Sequence, residues 1–347
     1  MAVFNKVDFD NHEQVVYCSD EETGLKAIIA IHNTNLGPAV GGCRLWNYAN
    51  EDDALVDVLR LSKGMTYKNA IAGLPFGGGK SVIIGDAKTI KSDALFRKFG
   101  QFLQSLSGKY YSAEDVNITT GDIMIVNQET DYVFGLEGQS GNPAPFTALG
   151  TYLGLKAAAK HKFGSDSLEG IKVSVQGLGS VGLYLCEHLH KEGAKLVVTD
   201  INQAAIDKAI TEFGATAVGL DEIYAQDVDI YAPCALGATI NDETIPQLKA
   251  KVVAGCANNQ LAEPRHGEVL RQNGILYAPD YVINAGGIIN VSFEQDPEGY
   301  CADKSTAKVN GIYDTLLKIF KRSDNEQIST HEVADEMAKE IIAEGHK

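Results

Sequence analysis

Long apolar runs, basic clusters and paired cysteines are all missing from this 347-residue sequence. No apolar stretch approaches the roughly 20 residues that a membrane-crossing helix needs. The opening "MAVFNKVDFDNHEQ" has neither the basic start nor the apolar core of a secretory signal, so a cytoplasmic protein is expected. Lysine and arginine number 30 against 46 aspartates and glutamates, a formal charge of −16. With no dense basic stripe to follow a phosphate backbone, nucleic acid is not an expected partner. The acidic balance reads as a solvated surface. The six cysteines, Cys18, Cys43, Cys186, Cys234, Cys256 and Cys301, include no C-x-x-C pair. They read as reduced, mostly buried thiols and not as a disulfide or zinc framework. His188 and His190 stand two apart on an expected helix and diverge, so no metal site is expected.

What is present fits a globular protein: 44% apolar and 22% charged residues, in a chain long enough for two cores. Up to about residue 134 the signals are mixed. "LKAIIAIHN" (25–33) reads as a buried strand and "NEDDALVDVLRLSKGMTYKNAIAG" as a helix with acids in its first turn. "KSVIIGD" (80–86) reads as a strand, 91–107 as a helix and "KYYSAEDV" as extended. This mixture implies an α/β domain. Within it, "AGLPFGGGKS" (72–81) resembles a phosphate loop, but a P-loop needs glycine where Leu74 stands. A P-loop also follows a strand, whereas this run follows a helix, so it is expected to be a helix-to-strand turn. From about 147, helices and short β runs alternate regularly, the pattern of a parallel sheet covered on both faces. Ser329 and Glu332 have capping-box spacing at the start of the last helix.

The most specific physical signal is "IKVSVQGLGSVGLYLCEHLHKEGAKLVVTD". Gly177, Gly179 and Gly182 form G-x-G-x-x-G between a strand and a helix. The first glycine suits a tight turn, the second a close approach to pyrophosphate, the third helix–strand packing. Ser180 and Val181 complete the turn and open a helix whose N-terminus favours an anion. Asp200 ends the next strand, where a carboxylate accepts both ribose hydroxyls and repels a 2′-phosphate. NAD is therefore the expected cofactor.

Before that region lie "GPAVGGCRLW", "GMTYK", "GLPFGGGKS" and "YSAEDVN"; within and after it come "SGNPAPFTALG", "APCALGATIN", "GCANNQL" and "PDYVINAGGIINV". Together these resemble the glutamate/leucine/phenylalanine/valine dehydrogenase family over nearly the whole chain. The resemblance implies an α/β fold of two domains with a cleft between them. The substrate domain is expected at 1–134, rejoined by a C-terminal helix at 330–347, and a Rossmann-type, doubly wound NAD domain at 135–329. It implies that Lys80 is the catalytic lysine and that Asp115 exchanges a proton with the substrate amine. Lys68 would hold the α-carboxylate, aided by Gly41 and Gly42, with Met65 beside them. Thr147, Ala235 and Asn258 would meet the cofactor, and Asn284 would line the cleft. A homo-oligomer, often an octamer, is implied as well.

Alone, Lys68 and Lys80 would read as solvated surface lysines; the surrounding motifs change that reading. Oxidative deamination needs a base that is neutral near working pH, and burial near a second cation would bring Lys80 down to roughly 7–8. Glycines 77–79 are expected to clear room for the substrate. Where glutamate-specific relatives carry a lysine for the side-chain carboxylate, this chain has Val40. A buried, unpaired carboxylate costs far more than an apolar contact contributes. By the same resemblance Ala113, Ile288 and Val291 complete an aliphatic pocket. Leucine is the expected substrate, with valine and isoleucine slower and phenylalanine the alternative.

Overall fold

The computed structural model describes residues 3–345 in two compact units. The first runs to Gly141 and takes in Val291–Tyr300 and the chain from Ala338; the second holds Asn142–Asn290 and Cys301–Met337. The division falls at 141 where the sequence suggested 134, and the return is in two pieces. Glu294 supplies one reason. Its carboxylate accepts the N–H of Gly135 (3.0 Å) and the N–H and hydroxyl of Ser140, which fastens 135–141 to the returning segment. The outermost residues assigned by the sequence to the domain ends (1–2 and 346–347) lie outside the described residues.

In the first unit the chain runs β1 (Gln14–Asp20), β2 (Leu25–Asn33), β3 (Ala39–Trp46), α1 (Glu51–Ile71), β4 (Gly77–Ile84), α2 (Ala87–Ile90), α3 (Asp93–Ser105), β5 (Tyr110–Glu114) and α4 (Thr120–Asn127). The strands form one sheet in the order β1-β2-β4-β3-β5. β2 is apolar on both faces because both are covered. Ile28 and Ala30 pack with Ala54, Leu55, Val58 and Leu59 of α1. Ala27, Ile29 and Ile31 pack with Leu95, Phe96, Phe99 and Leu103 of α3. α1 starts where Asn50 accepts the Asp53 N–H, with Glu51, Asp52 and Asp53 in its first turn, where the helix dipole favours acids.

The glycine run is not a turn. Gly77, Gly78 and Gly79 are the first three residues of β4, and the turn is the stretch before them, around Gly73 with φ +62°. Nor do these glycines clear room for a substrate; protein fills the space. A Cβ on Gly77 would lie 1.9 Å from the Asn33 carbonyl, one on Gly78 2.0 Å from the Thr66 nitrogen, and one on Gly79 2.6 Å from the Tyr110 ring. Gly78 lets α1 lie against the strand. Asn69 of α1 fastens the contact, donating to the Gly77 carbonyl at 2.6 Å.

Two histidines are buried beside the same helix. His12 and His32 lie edge to face, ring centres 4.8 Å apart. His12 Nε2 faces the Leu59 carbonyl and Ser62 Oγ, and His32 Nδ1 faces Thr66 Oγ1. Lys63 and Asp10 stand outside them, paired at 2.8 Å, with Asp10 3.7 Å from His32. Burial, with His12 alongside, outweighs Asp10 and pushes His32 down from 6.5 to about 4; burial lowers His12 as well. The folded protein thus holds an imidazole neutral that the unfolded chain protonates below its ordinary value. That stability is present above pH 6.5 and is lost as pH falls towards 4. The expected loss from His32 is about 3 kcal/mol between pH 7 and pH 4. Urea denaturation across that range checks it. A His32→Gln protein whose stability falls as steeply as the wild type's would refute the assignment.

In the second unit the chain runs α5 (Ala144–Phe163), β6 (Lys172–Gln176), α6 (Ser180–Lys191), β7 (Lys195–Thr199), α7 (Gln203–Phe213), β8 (Thr216–Ala217), β9 (Ile230–Pro233), β10 (Val252–Val253), α8 (Arg265–Gln272), β11 (Leu276–Tyr277), α9 (Asp280–Ile283), α10 (Gly286–Ser292), α11 (Ala302–Glu326) and α12 (Thr330–Glu344), the ends of α10 and α12 falling in the first unit. Its strands form a parallel sheet ordered β11-β10-β9-β6-β7-β8. The chain leaves β6 in one direction, through β7 and β8, then returns past it to β9. Ligands of doubly wound sheets bind where the order reverses, here at the carboxyl ends of β6 and β9. α12 opens with the expected capping box: Ser329 Oγ accepts the Glu332 N–H and Glu332 accepts the Ser329 N–H. No described helix is long and apolar enough to cross a membrane.

Candidate active site

The turn after β6 has the geometry its glycines suggest. Gly177 sits at φ +101°, and a Cβ there would lie 2.6 Å from the Ala235 Cβ. Gly179 caps α6 and has nothing within 4 Å of a hypothetical Cβ, so its outer side is open. Gly182 carries α6 back over the turn, where a Cβ would meet the Gly177 carbonyl at 2.1 Å. Ser180 and Val181 form the first turn of α6, whose N–H groups face out of the helix end. Asp200 follows β7 and reaches back: one oxygen accepts the Leu178 N–H at 2.5 Å and the other the Asn202 N–H at 2.7 Å. The pieces of a dinucleotide cradle are assembled, with a carboxylate fastening the turn itself.

Beyond β9 and β10, a second group converges within the same unit. Asn284, 6% exposed at the end of α9, donates to the Asn258 side-chain oxygen (2.7 Å) and the Cys256 carbonyl (3.0 Å). Its own side-chain oxygen is buried without a partner. Thr147, in the first turn of α5, donates to the Pro143 carbonyl at 3.1 Å, and a Cβ on Gly287 would come within 2.7 Å of its hydroxyl. A buried acceptor left unsatisfied is unusual in a native protein and suits a ligand donor. These residues fit the amide end of a nicotinamide, as the glycine turn fits the pyrophosphate.

Lys80 lies in the other unit. Val82, two residues on, packs against α1, so strand alternation puts Lys80 on the α1 face of β4. The same rule puts Val40 of β3 and Ala113 of β5 on that face, since Ala39 and Tyr110 point towards α3. Asp115, just past β5, sits 2.5 Å from Lys80 Nζ, and Lys80 is only 6% exposed. Burial pushes the Asp115 carboxyl up, but Lys80 and Arg44 together outweigh it and hold the group below its ordinary range. The glycines crowd in: a Cβ on Gly42 would lie 2.9 Å from the Asp115 Cβ, and one on Gly41 3.0 Å from Met65 Cγ. Lys68 stands three residues after Met65 on α1, on the same side of the helix. Ile288 and Val291 share a face of α10 by the same spacing.

Arg44 is the residue that sequence reasoning passed over. It lies 3.5 Å from Asp115 and donates to Asp57 at 3.0 Å; Asp57 in turn accepts the Tyr48 hydroxyl. The available signal was an arginine two strand positions from the glycine pair, on a strand mostly buried. Such a charge needs a partner.

A doubly wound sheet with this glycine turn, preceded by an α/β unit holding a buried lysine–carboxylate pair, defines the class as a two-domain dinucleotide-dependent dehydrogenase. Residues 12–136 match the family described as "Glu/Leu/Phe/Val dehydrogenase, dimerisation domain". Residues 140–209 and 198–342 match "Glutamate/Leucine/Phenylalanine/Valine dehydrogenase". The chain is 57% identical over 345 residues to leucine dehydrogenase of Geobacillus stearothermophilus, covering 99% of this chain and 94% of that protein. It is 56% identical over 346 residues to leucine dehydrogenase of Bacillus cereus, with the same coverage. The crystal structure of L-tryptophan dehydrogenase from Nostoc punctiforme superposes with a TM-score of 0.87 at 47% identity, covering 99% of both chains. The protein belongs to the glutamate/leucine/phenylalanine/valine dehydrogenase family and is an amino-acid dehydrogenase acting on CH–NH2 donors.

Proposed function

We propose that the enzyme catalyses the reversible oxidative deamination of L-leucine, and more slowly of valine and isoleucine, with NAD as the acceptor. The observation that carries this reading is the buried Lys80–Asp115 pair on the sheet face that also carries Val40. Lys68 binds the substrate α-carboxylate, aided by Gly41 and Gly42, with Met65 against Gly41. Asp115 takes a proton from the substrate ammonium, leaving the amine neutral. NAD, when bound, supplies the acceptor for the hydride that leaves Cα. Asp115 releases that proton to solvent, and Lys80 in its neutral form accepts one from the water that attacks the resulting iminium carbon. Lys80 then gives this proton to the nitrogen while Asp115 takes the proton of the new hydroxyl, so that the carbonyl forms and the C–N bond breaks as ammonia leaves. Arg44 keeps the Asp115 oxygen turned towards Lys80.

For the cofactor, Gly177, Gly179, Ser180, Val181 and Gly182 hold the pyrophosphate and Ala235 closes over it. Asn258, Asn284 and Thr147 orient the carboxamide. Asp200 supports NAD over NADP, because a carboxylate repels a 2′-phosphate. The residues proposed to meet the substrate side chain, Val40, Ala113, Ile288 and Val291, are all aliphatic. Val40 is fully buried, so a glutamate carboxylate directed at it would find no cation, which costs several kcal/mol. The likeness to L-tryptophan dehydrogenase makes an aromatic substrate the second reading; the bulk of Ile288 favours the aliphatic one. The enzyme works in the cytoplasm as a homo-oligomer, the octamer being what the family resemblance suggests. β1, an edge strand carrying the exposed Tyr17, offers an open side for assembly.

A spectrophotometric screen of L-amino acids with NAD and with NADP tests the reading. Leucine with NAD is expected to give the fastest absorbance change. Glutamate should be slower by at least about 100-fold, since one uncompensated charge is worth more than the 1–3 kcal/mol of a methylene. Comparable rates on glutamate would refute the pocket, and faster rates on phenylalanine or tryptophan would favour the second reading.

A further inference from the structure

All six cysteines are free, and two of them come together at the carboxyl edge of the parallel sheet. β9 and β10 pair Ile230 with Val252 and Tyr231 with Val253. Beyond these pairs the two chains stay joined, with the Ala254 N–H on the Tyr231 carbonyl at 2.9 Å and the Ala257 N–H on the Pro233 carbonyl at 3.0 Å. Cys234 and Cys256 follow one strand position out of register, and each thiol is shifted chiefly by the other. With neighbouring strands about 5 Å apart, one position of offset leaves their Cα atoms about 6 Å apart, within the separation that a disulfide spans. Both residues are only partly buried, unlike Cys18, Cys43 and Cys186.

We propose that Cys234 and Cys256 form a peroxide-sensitive thiol pair that closes to an intramolecular disulfide and thereby weakens dinucleotide binding. Cys256 alongside lowers the Cys234 thiol and outweighs the cost of burial, while Cys234 and burial raise Cys256. Cys234 is therefore the attacking sulfur. As thiolate it attacks one oxygen of hydrogen peroxide; the O–O bond breaks, hydroxide leaves and Cys234 becomes the sulfenic acid. The Cys256 sulfur then attacks the Cys234 sulfur, the S–O bond breaks and the S–S bond forms. The Cys256 proton and the Cys234 proton leave with the two oxygens as two waters. The sulfurs lose two electrons in all, and the peroxide gains them.

The link to the cofactor rests on the dinucleotide reading above. Ala235, next to Cys234, sits against Gly177, and Cys234 packs near Gly182. The Cys256 carbonyl holds the Asn284 amide, which also holds Asn258. Joining the two sulfurs therefore moves both ends of the proposed cofactor site.

The test uses the full-length protein, treated with hydrogen peroxide with and without NAD and then alkylated under denaturing conditions for mass spectrometry. Two fewer alkylated thiols and a bridged peptide joining Cys234 to Cys256 are expected, with slower formation when NAD is present. Cys256→Ser should give no bridge but a Cys234 sulfenic acid that dimedone captures. NAD titration of the bridged protein should show at least tenfold weaker binding, restored by dithiothreitol. Full alkylation after peroxide, or a bridge to Cys186, overturns the thiol pair. A bridge that leaves NAD affinity unchanged overturns the coupling. Reduced protein that binds no NAD at all would instead count against the dinucleotide site, since bridging is read without cofactor.

Discussion

Replacing Lys80 with alanine is expected to lower kcat for leucine by about 10³- to 10⁴-fold, the upper part of the range for losing a general base. NAD affinity should stay within about twofold, since the proposed contacts of the cofactor lie on the other compact unit and one such step is well below 1.4 kcal/mol. The physical basis is the pairing of Lys80 with Asp115 at 2.5 Å, with Lys80 only 6% exposed. Asp115→Asn keeps the shape and removes the carboxylate, so turnover should fall by a similar order, and the denaturation midpoint should fall too because Lys80 and Arg44 lose their shared partner. Binding is followed by titration and turnover by NADH absorbance. A Lys80→Ala enzyme with near-normal kcat would end the catalytic assignment.

The second large effect concerns stability. Alanine at Gly78 would place a methyl 2.0 Å from the Thr66 nitrogen and 2.2 Å from its hydroxyl oxygen. Neither is the free end of a flexible side chain, so α1 would have to lift from β4. The expected cost is about 4 kcal/mol or more, in the exceptional tail of single substitutions. Gly64→Ala supplies the contrast within the same helix. It has nothing within 4 Å of the added methyl and should stabilise α1 by roughly 0.5–1 kcal/mol through propensity alone. Chemical denaturation of the two variants and the wild type decides the matter. Equal midpoints would mean that the close approach at Gly78 is not what makes glycine necessary there.

Gly78 also shows where the sequence was misleading. Strands with side chains were legible from their pattern: "LKAIIAIHN" is β2 from first residue to last, and Ser329 with Glu332 marked the start of α12 through local chemistry. Three glycines carry no alternation to read, so a strand opening in them looked like a turn. The Gly177–Gly182 turn was readable because its constraint is local, a fixed spacing between one strand and one helix. Arg44 was not, because what it does depends on Asp115 arriving from β5 and Asp57 from α1, partners far apart in sequence. The unit boundary at 141 was missed for a similar reason, since Glu294 reaches back across about half of the chain to hold Gly135 and Ser140.

Asp200 spends one of its oxygens on the backbone of the turn it is meant to serve, accepting the Leu178 N–H. On the proposed reading of Asp200, cofactor choice and loop shape fall to a single side chain, so the two cannot be altered independently by removing it. A redesign that admits a 2′-phosphate by cutting this residue back to alanine or glycine would also release the loop, trading selectivity for a general loss of grip. Asparagine keeps an acceptor for Leu178 while dropping the charge, which makes it the natural first step for anyone wishing to feed this enzyme the phosphorylated cofactor.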